Sequence, residues 1–207
     1  MRLGILGGTF DPPHFGHLRL AEAALTQLHL DKVLFAPVGV QPLKQGHPAT
    51  APEHRARMVE LTIADDPRFA LSRADLDRRG PHYTVDLLAI IQQQYPAAAL
   101  WFIMGEDSLG DLLRWRDPAR IIQLARLAVL RRPRYEPDWA ALDRALPDVR
   151  TRIDWIEHAE IDISASSIRR RVQRGLSIAS LVPERVIDYL VMHHLYADSS
   201  PSTADHV

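Results

Sequence analysis

The 207-residue sequence has no cysteine. That removes disulfides, thiolate nucleophiles and Cys-ligated zinc from its chemistry, and it fits a reducing compartment. No apolar run is long enough to span a bilayer. Neither sign of charge dominates: 25 Lys and Arg stand against 26 Asp and Glu, a formal net charge of -1. No global field therefore draws the chain to nucleic acid or to an anionic membrane. Internal repeats and linkers of shifted composition are also missing. What remains, 46% apolar and 25% charged residues, is ordinary for a globular protein with enough chain for one α/β domain and a full core. The opening residues read as a core strand and not as a signal peptide. A cytoplasmic enzyme is expected, with no nucleic-acid polymer and no membrane among its partners. A homo-oligomer stays open.

Short apolar runs alternate with amphipathic stretches, which predicts a parallel sheet with helices on both faces, a Rossmann-like single domain. The predicted strands are Arg2–Leu6, Lys32–Ala36, Phe69–Ser72, Leu100–Met104, Leu127–Leu130 and Arg152–Ile156. The predicted helices include His14–Leu28, Glu53–Ala64, Thr84–Gln94, Trp139–Ala145, Ser167–Arg174 and Pro183–Leu195. Residues 1–196 make the domain, and the small, polar residues 197–207 are expected to be a disordered tail. The Pro- and Gly-rich connection from Pro37 to Pro52 has the length of a binding loop. In an open parallel sheet the ligand lies beyond the carboxyl ends of the strands, where the strand order reverses.

The most informative segment follows the first strand: Gly7-Gly8-Thr9-Phe10-Asp11-Pro12-Pro13-His14-Phe15-Gly16-His17. Gly7 and Gly8 suit a turn in which no Cβ stands in the way, and the prolines favour a helix start. His14 and His17, three residues apart, share one face of the first helical turn. Free N–H groups and the helix dipole attract phosphate there. The imidazoles add donors, and charge if phosphate raises their pKa. The string matches neither G-x-x-x-x-G-K-[ST] nor G-x-G-x-x-G. It resembles the signature of the nucleotidylyltransferase superfamily, whose members join a nucleotide to a phosphate-bearing acceptor.

A second segment, Ile163-Ser164-Ala165-Ser166-Ser167-Ile168-Arg169, is on its own a serine-capped helix with a solvated basic face from Arg169 to Arg171. Beside the first motif it resembles the superfamily's Ile-Ser-x-[Thr/Ser]-x-Ile-Arg. That resemblance implies amides and an arginine that hold the ATP triphosphate. Here Ala165 stands in place of the usual second serine and Ser166 in place of threonine.

Three further segments resemble bacterial nicotinate-mononucleotide adenylyltransferases. Gly80-Pro81-His82-Tyr83-Thr84-Val85-Asp86-Leu87 is similar to that family's Pro-Ser-Tyr-Thr-x-Asp, with His82 replacing serine. Phe102–Leu109, through Gly105-Glu106-Asp107, is similar to its Gly-Ala-Asp segment. Trp115 follows where the family carries a tryptophan near the pyridine ring. The resemblance covers about residues 1–196. It implies transfer of adenylyl from ATP to nicotinate mononucleotide, with Mg²⁺ bound mainly through ATP phosphates and no protein metal site.

By the same resemblance His14, His17 and Arg169 are the catalytic set. The ATP contacts are Gly7, Gly8, Thr9, Phe10, Lys44, Gly105, Asp107, Ile163, Ser166 and Ser167, and the acceptor contacts are Tyr83, Thr84, Trp115 and Arg116. Trp115 could equally be a packing aromatic, and Asp107 a helix cap. The loop departs from the family's Pro-Pro-His-Lys: it reads Gln41-Pro42-Leu43-Lys44, so only the lysine remains. The rivals are a sister enzyme with another acceptor, such as phosphopantetheine, or with CTP for ATP, and a nucleotide-binding protein without catalysis.

Overall fold

The computed structural model describes residues 1–39, 49–132, 135–157 and 163–197. Strands β1 (Arg2–Gly8), β2 (Lys32–Pro37), β3 (Phe69–Leu71), β4 (Ala99–Gly105), β5 (Arg126–Leu130) and β6 (Ile153–Ile156) form one sheet, parallel throughout, in the order β3-β2-β1-β4-β5-β6. The order runs outward from β1 in one direction and outward from β4 in the other, so the reversal lies between β1 and β4. Their register pairs Leu3 with Leu100 and Leu6 with Ile103, which brings the carboxyl ends of both strands to one edge. This is the crevice of a doubly wound sheet.

Period-2 alternation divides each strand between two cores. Leu3, Ile5, Leu34, Phe102, Met104, Leu127 and Val129 face one side, where α3 (Thr84–Gln94), α5 (Pro118–Leu124) and α6 (Trp139–Ala145) cover them. Leu6, Val33, Phe35, Trp101, Ile103 and Ala128 face the other, under α1 (Phe15–Gln27) and α2 (Pro52–Ile63). A third cluster joins Met58 of α2 to Ile168 of α7 (Ala165–Gln173) and to Val186 and Leu190 of α8 (Glu184–Met192). The C-terminal helices are thereby seated next to the crevice.

All six predicted strands are present, and the helix bounds move by a few residues. Three differences matter for the site. Gly7 and Gly8 are the last residues of β1, paired with Ala36 and Pro37, and are not the turn. The left-handed residue is Phe10, at φ 52°. The glycines sit in close approach: a Cβ on Gly7 would meet the Phe102 ring at 3.3 Å, and one on Gly8 the Phe10 ring at 3.1 Å, tight enough that either ring would have to give way. Helix α1 begins at Phe15, with His14 as its extended N-cap. Arg152 belongs to a 3-10 turn, Val149–Arg152, that precedes β6. Helices α4 (Glu106–Gly110) and α5 are additional. Asp117 caps α5 by accepting from Arg120 N–H, with Pro118 in its first turn.

Candidate active site

The β1–α1 turn brings His14 and His17 to one side of the helix start, as the sequence predicts, and the structure adds that their rings are in contact. Their centroids are 3.7 Å apart with planes inclined by 27°. His17 Nδ1 accepts from the His14 backbone N–H at 3.2 Å. A neutral His17 therefore carries its proton on Nε2, a donor on the far side of the ring. The Phe10 ring meets His17 edge-on at 4.8 Å, which gives its left-handed backbone a packing role. His14 is 6% exposed, and burial lowers its pKa to about 4. In the protein without ligand it is a neutral imidazole at pH 7. A phosphate beside it would raise that pKa.

The expected supply of free helix amides is smaller than the sequence suggests. Phe15 N–H donates to Leu181 O at 2.9 Å, and His17 N–H to His14 O at 2.9 Å. At α7 the N-cap is Ser164, whose Oγ accepts from Ser167 N–H at 3.3 Å. The Ser167 amide thus has a partner within the turn. Ser166 Oγ lies 3.3 Å from Ser164 Oγ, and Ile163 packs into the C-terminal cluster. The side chains at this turn therefore offer more open donors than the helix termini do.

Arg169 does not lie on a solvated basic face. Its Nη1 donates to the Asp11 backbone carbonyl at 2.6 Å, across 158 residues of sequence, and its side chain is one-third exposed. Arg171 turns the other way and caps Ser177 O at 2.9 Å. The two motifs far apart in sequence thus meet at Asp11.

Sequence reasoning missed the residues that hold this turn. Arg55 of α2 is 1% exposed. Its guanidinium donates to Thr50 O, Thr9 O and Gly39 O at 2.8, 2.8 and 2.9 Å, a planar fork spanning three separate segments. Tyr196 donates to Asp11 Oδ1 at 2.5 Å. An apolar-periodic helix offers no sign that its arginine points inward. The Asp in the first motif was the one available clue to a charged partner.

Beyond β4, Gly105 is the N-cap of α4. The buried Glu106 accepts from Arg132 N–H at 2.7 Å, and Asp107 pairs with Arg132 Nε at 3.1 Å. Asp107 is therefore neither a cap nor unengaged, and it stays at the surface. Of the residues expected to contact the acceptor, Thr84 is the first residue of α3 with Tyr83 as its N-cap, so its N–H has no partner within the helix. Arg116 lies over the Tyr83 ring, 5.6 Å from its centroid. Trp115 meets Phe102 edge-on at 5.8 Å and packs on the core; it is half-buried and not exposed. Lys44, with Gln41, Leu43 and His47, lies outside the described residues. His54 is half-buried and bonds Tyr189 Oη through Nδ1 at 2.8 Å.

The parallel sheet carries a histidine pair at its point of reversal, and the chain belongs to the cytidylyltransferase-like family, whose model matches residues 5–171. Within that class the chain is a member of the nicotinate-nucleotide adenylyltransferase family. It is 46% identical over 195 residues to the "Probable nicotinate-nucleotide adenylyltransferase" of Thermomicrobium roseum, covering 94% of this chain and 91% of that one. The relative of the same name from Herpetosiphon aurantiacus is 43% identical, covering 94% and 98%. Among solved structures, the Plasmodium falciparum nicotinic acid mononucleotide adenylyltransferase complexed with NaAD matches at a TM-score of 0.75 and 19% identity, covering 94% of this chain and 97% of that one. At that identity the likeness is one of fold. No helix among the described residues is long and apolar enough to cross a membrane.

Proposed function

We propose that this chain transfers the adenylyl group of ATP to nicotinate mononucleotide. An oxygen of the acceptor phosphate attacks the α-phosphorus. The bond from that phosphorus to the bridging oxygen breaks, and pyrophosphate leaves with its electron pair. No protein nucleophile is needed, so catalysis is positioning and charge stabilisation. The observation that carries the reading is the stacked His14–His17 pair, with Arg169 tethered to the same turn.

In this reading His17 gives the Nε2 proton as a hydrogen bond to an α-phosphate oxygen, because its Nδ1 is taken by the His14 amide. His14 meets the same phosphates and gains charge when they arrive. Arg169 keeps its donors other than Nη1–H for the β- and γ-phosphates. Gly7, Gly8, Thr9 and Phe10 line the nucleotide side, with Gly105 and Asp107 near the ribose. Tyr83, the Thr84 amide, Trp115 and Arg116 take the acceptor: the indole faces the cationic pyridinium and the amide meets the carboxylate.

Mg²⁺ fits this site as an ion carried by ATP. The donors around the turn are imidazole, guanidinium and hydroxyl, and Asp11, the carboxylate nearest to it, is engaged on both oxygens. No group of three acidic, His or Cys side chains suited to a metal occurs among the described residues. When bound through phosphate and water, the ion would supply neutralisation of polyphosphate charge.

The test is pyrophosphate release from purified protein with ATP, Mg²⁺ and nicotinate mononucleotide, run beside phosphopantetheine as acceptor and CTP as donor. Release with the nicotinate nucleotide and ATP is expected. Activity with phosphopantetheine alone would reassign the acceptor, and silence with every pair would point to a nucleotide-binding protein.

A further inference from the structure

The Asp11 carboxylate is 6% exposed and is held on both oxygens by distant parts of the chain. Tyr196 Oη donates to Oδ1 at 2.5 Å, 185 residues away in sequence. The Thr50 backbone N–H donates to Oδ2 at 3.2 Å. Arg169 Nη1, bonded to the Asp11 backbone carbonyl, lies 4.0 Å from Oδ2. That is beyond hydrogen-bond distance but a small side-chain rotation short of it. A buried carboxylate and a guanidinium this close favour a two-bond fork. The fork would spend the arginine's donors on the protein itself. What stands against it is orientation: Tyr196 Oη and the Thr50 N–H anchor one oxygen each and set the rotation of the carboxylate, although each oxygen could accept a second bond.

The partner at Oδ1 is built with some care. Tyr196 follows α8 with a left-handed backbone, φ 63°, uncommon for a residue with a large side chain. Its ring packs in the cluster of Met58, Ile168 and Val186, which holds that conformation in place. Burial and the adjacent Asp11 charge push its phenol above the ordinary value, so the hydroxyl stays a donor.

We propose that Tyr196 is a positioning residue for the polyphosphate arginine: by anchoring Asp11 Oδ1 it fixes the rotation of the carboxylate and keeps it from turning to fork onto Arg169, so that the guanidinium stays directed at the nucleotide. The proposal rests on the reading of Arg169 as a polyphosphate ligand. It makes the segment after α8 a working part of the ATP site.

The experiment compares Tyr196→Phe, Asp11→Asn, their double variant and Arg169→Lys. Tyr196→Phe keeps the packed ring and removes only the hydroxyl. It is expected to raise KM for ATP, and Kd for inorganic tripolyphosphate measured by calorimetry, about tenfold, on the scale of one buried charged hydrogen bond. KM for nicotinate mononucleotide should stay within about twofold, since no acceptor contact is touched. In the Asp11→Asn background the neutral amide cannot neutralise Arg169, and adding Tyr196→Phe should cost nothing further. A merely structural tyrosine would raise both KM values together with a fall in the thermal midpoint, and would do so in the Asp11→Asn background as well; that result overturns the proposal. So does unchanged tripolyphosphate affinity in folded Tyr196→Phe, a measurement that decides alone if Asp11→Asn does not fold. Parental tripolyphosphate affinity in Arg169→Lys would remove the reading of the arginine itself. Loss in Arg169→Lys but not in Tyr196→Phe removes only the positioning role.

Discussion

The two ends of the crevice are built to different standards. At the end proposed for phosphate His14 and Arg55 are buried, the imidazoles are stacked, and segments from all over the chain fix the turn: Arg55 from α2, Arg169 from α7 and Tyr196 from beyond α8 all converge on residues 9–11. At the acceptor end Tyr83 and Thr84 are half-buried, Arg116 is exposed, and the contact between the two loops is one cation–π approach at 5.6 Å, worth roughly 0.5–1 kcal/mol at an exposed site. The difference follows the chemistry. Donors aimed at a transition state must be fixed beforehand, because reorganisation at the moment of reaction is lost rate. A site that selects an acceptor needs a few groups of the right type, and some adjustment on binding does no harm. Variants at the two ends should therefore fail in different ways.

The largest effect is expected at His17. Replacing it with alanine removes a donor whose orientation is set by the His14 amide. His17→Ala should lower kcat by at least about a hundredfold, the scale of one lost transition-state donor, while leaving the circular dichroism spectrum and the acceptor KM near parental values. Near-normal turnover in a folded variant would erase the contrast between the two ends.

His14 tests the cost of burying the phosphate end. Its pKa in the folded chain is about 4, below the ordinary imidazole value in the unfolded chain. Between those values the unfolded state binds more protons, so stability rises with pH in that window. The contribution is fully present above about pH 6.5 and is lost as pH falls toward 4. Urea unfolding should show stability about 2 kcal/mol lower at pH 5 than at pH 7 from this group, and His14→Gln should flatten that slope. Saturating ATP should oppose the loss, because phosphate favours the protonated ring. A slope between pH 7 and 5 that is the same in parent and variant would mean that His14 is not held neutral.

Much of this contrast is legible in the sequence, and the remainder has a physical reason for being hidden. Strands β1 to β6 are visible because a parallel sheet covered on both faces needs apolar runs. The histidine pair is visible because its motif is contiguous. Glycine-turn chemistry at Gly7-Gly8 misleads, since a glycine needed for close approach to Phe102 or Phe10 looks the same as one needed for positive φ. Arg55 and Tyr196 are invisible because Arg55 reaches 5, 16 and 46 residues back along the chain and Tyr196 reaches 185, and no local periodicity encodes such contacts. Short helices such as α4, with five residues, carry too few positions for a periodic signal.

The smallest effect is expected at the acceptor end. Trp115 is braced by Phe102 and partly buried, so its ring is fixed even though its neighbour Arg116 is not. Trp115→Leu keeps apolar bulk against the core and removes the π face. It should raise KM for nicotinate mononucleotide by roughly threefold to tenfold, as for one modest cation–π contact, with kcat and the ATP KM within about twofold. The same end should discriminate by charge. A helix-start amide that meets a carboxylate finds an NH₂ group opposed to it in the nicotinamide nucleotide, so kcat/KM should be higher for the nicotinate form. If Trp115 supplies only the pyridinium face and the Thr84 amide reads the carboxylate, Trp115→Leu should weaken both nucleotides equally and leave their ratio intact. A ratio that collapses in Trp115→Leu would place selection in the aromatic contact. Loss of kcat there would show that the acceptor end is as tightly tied to the bond-forming step as the phosphate end.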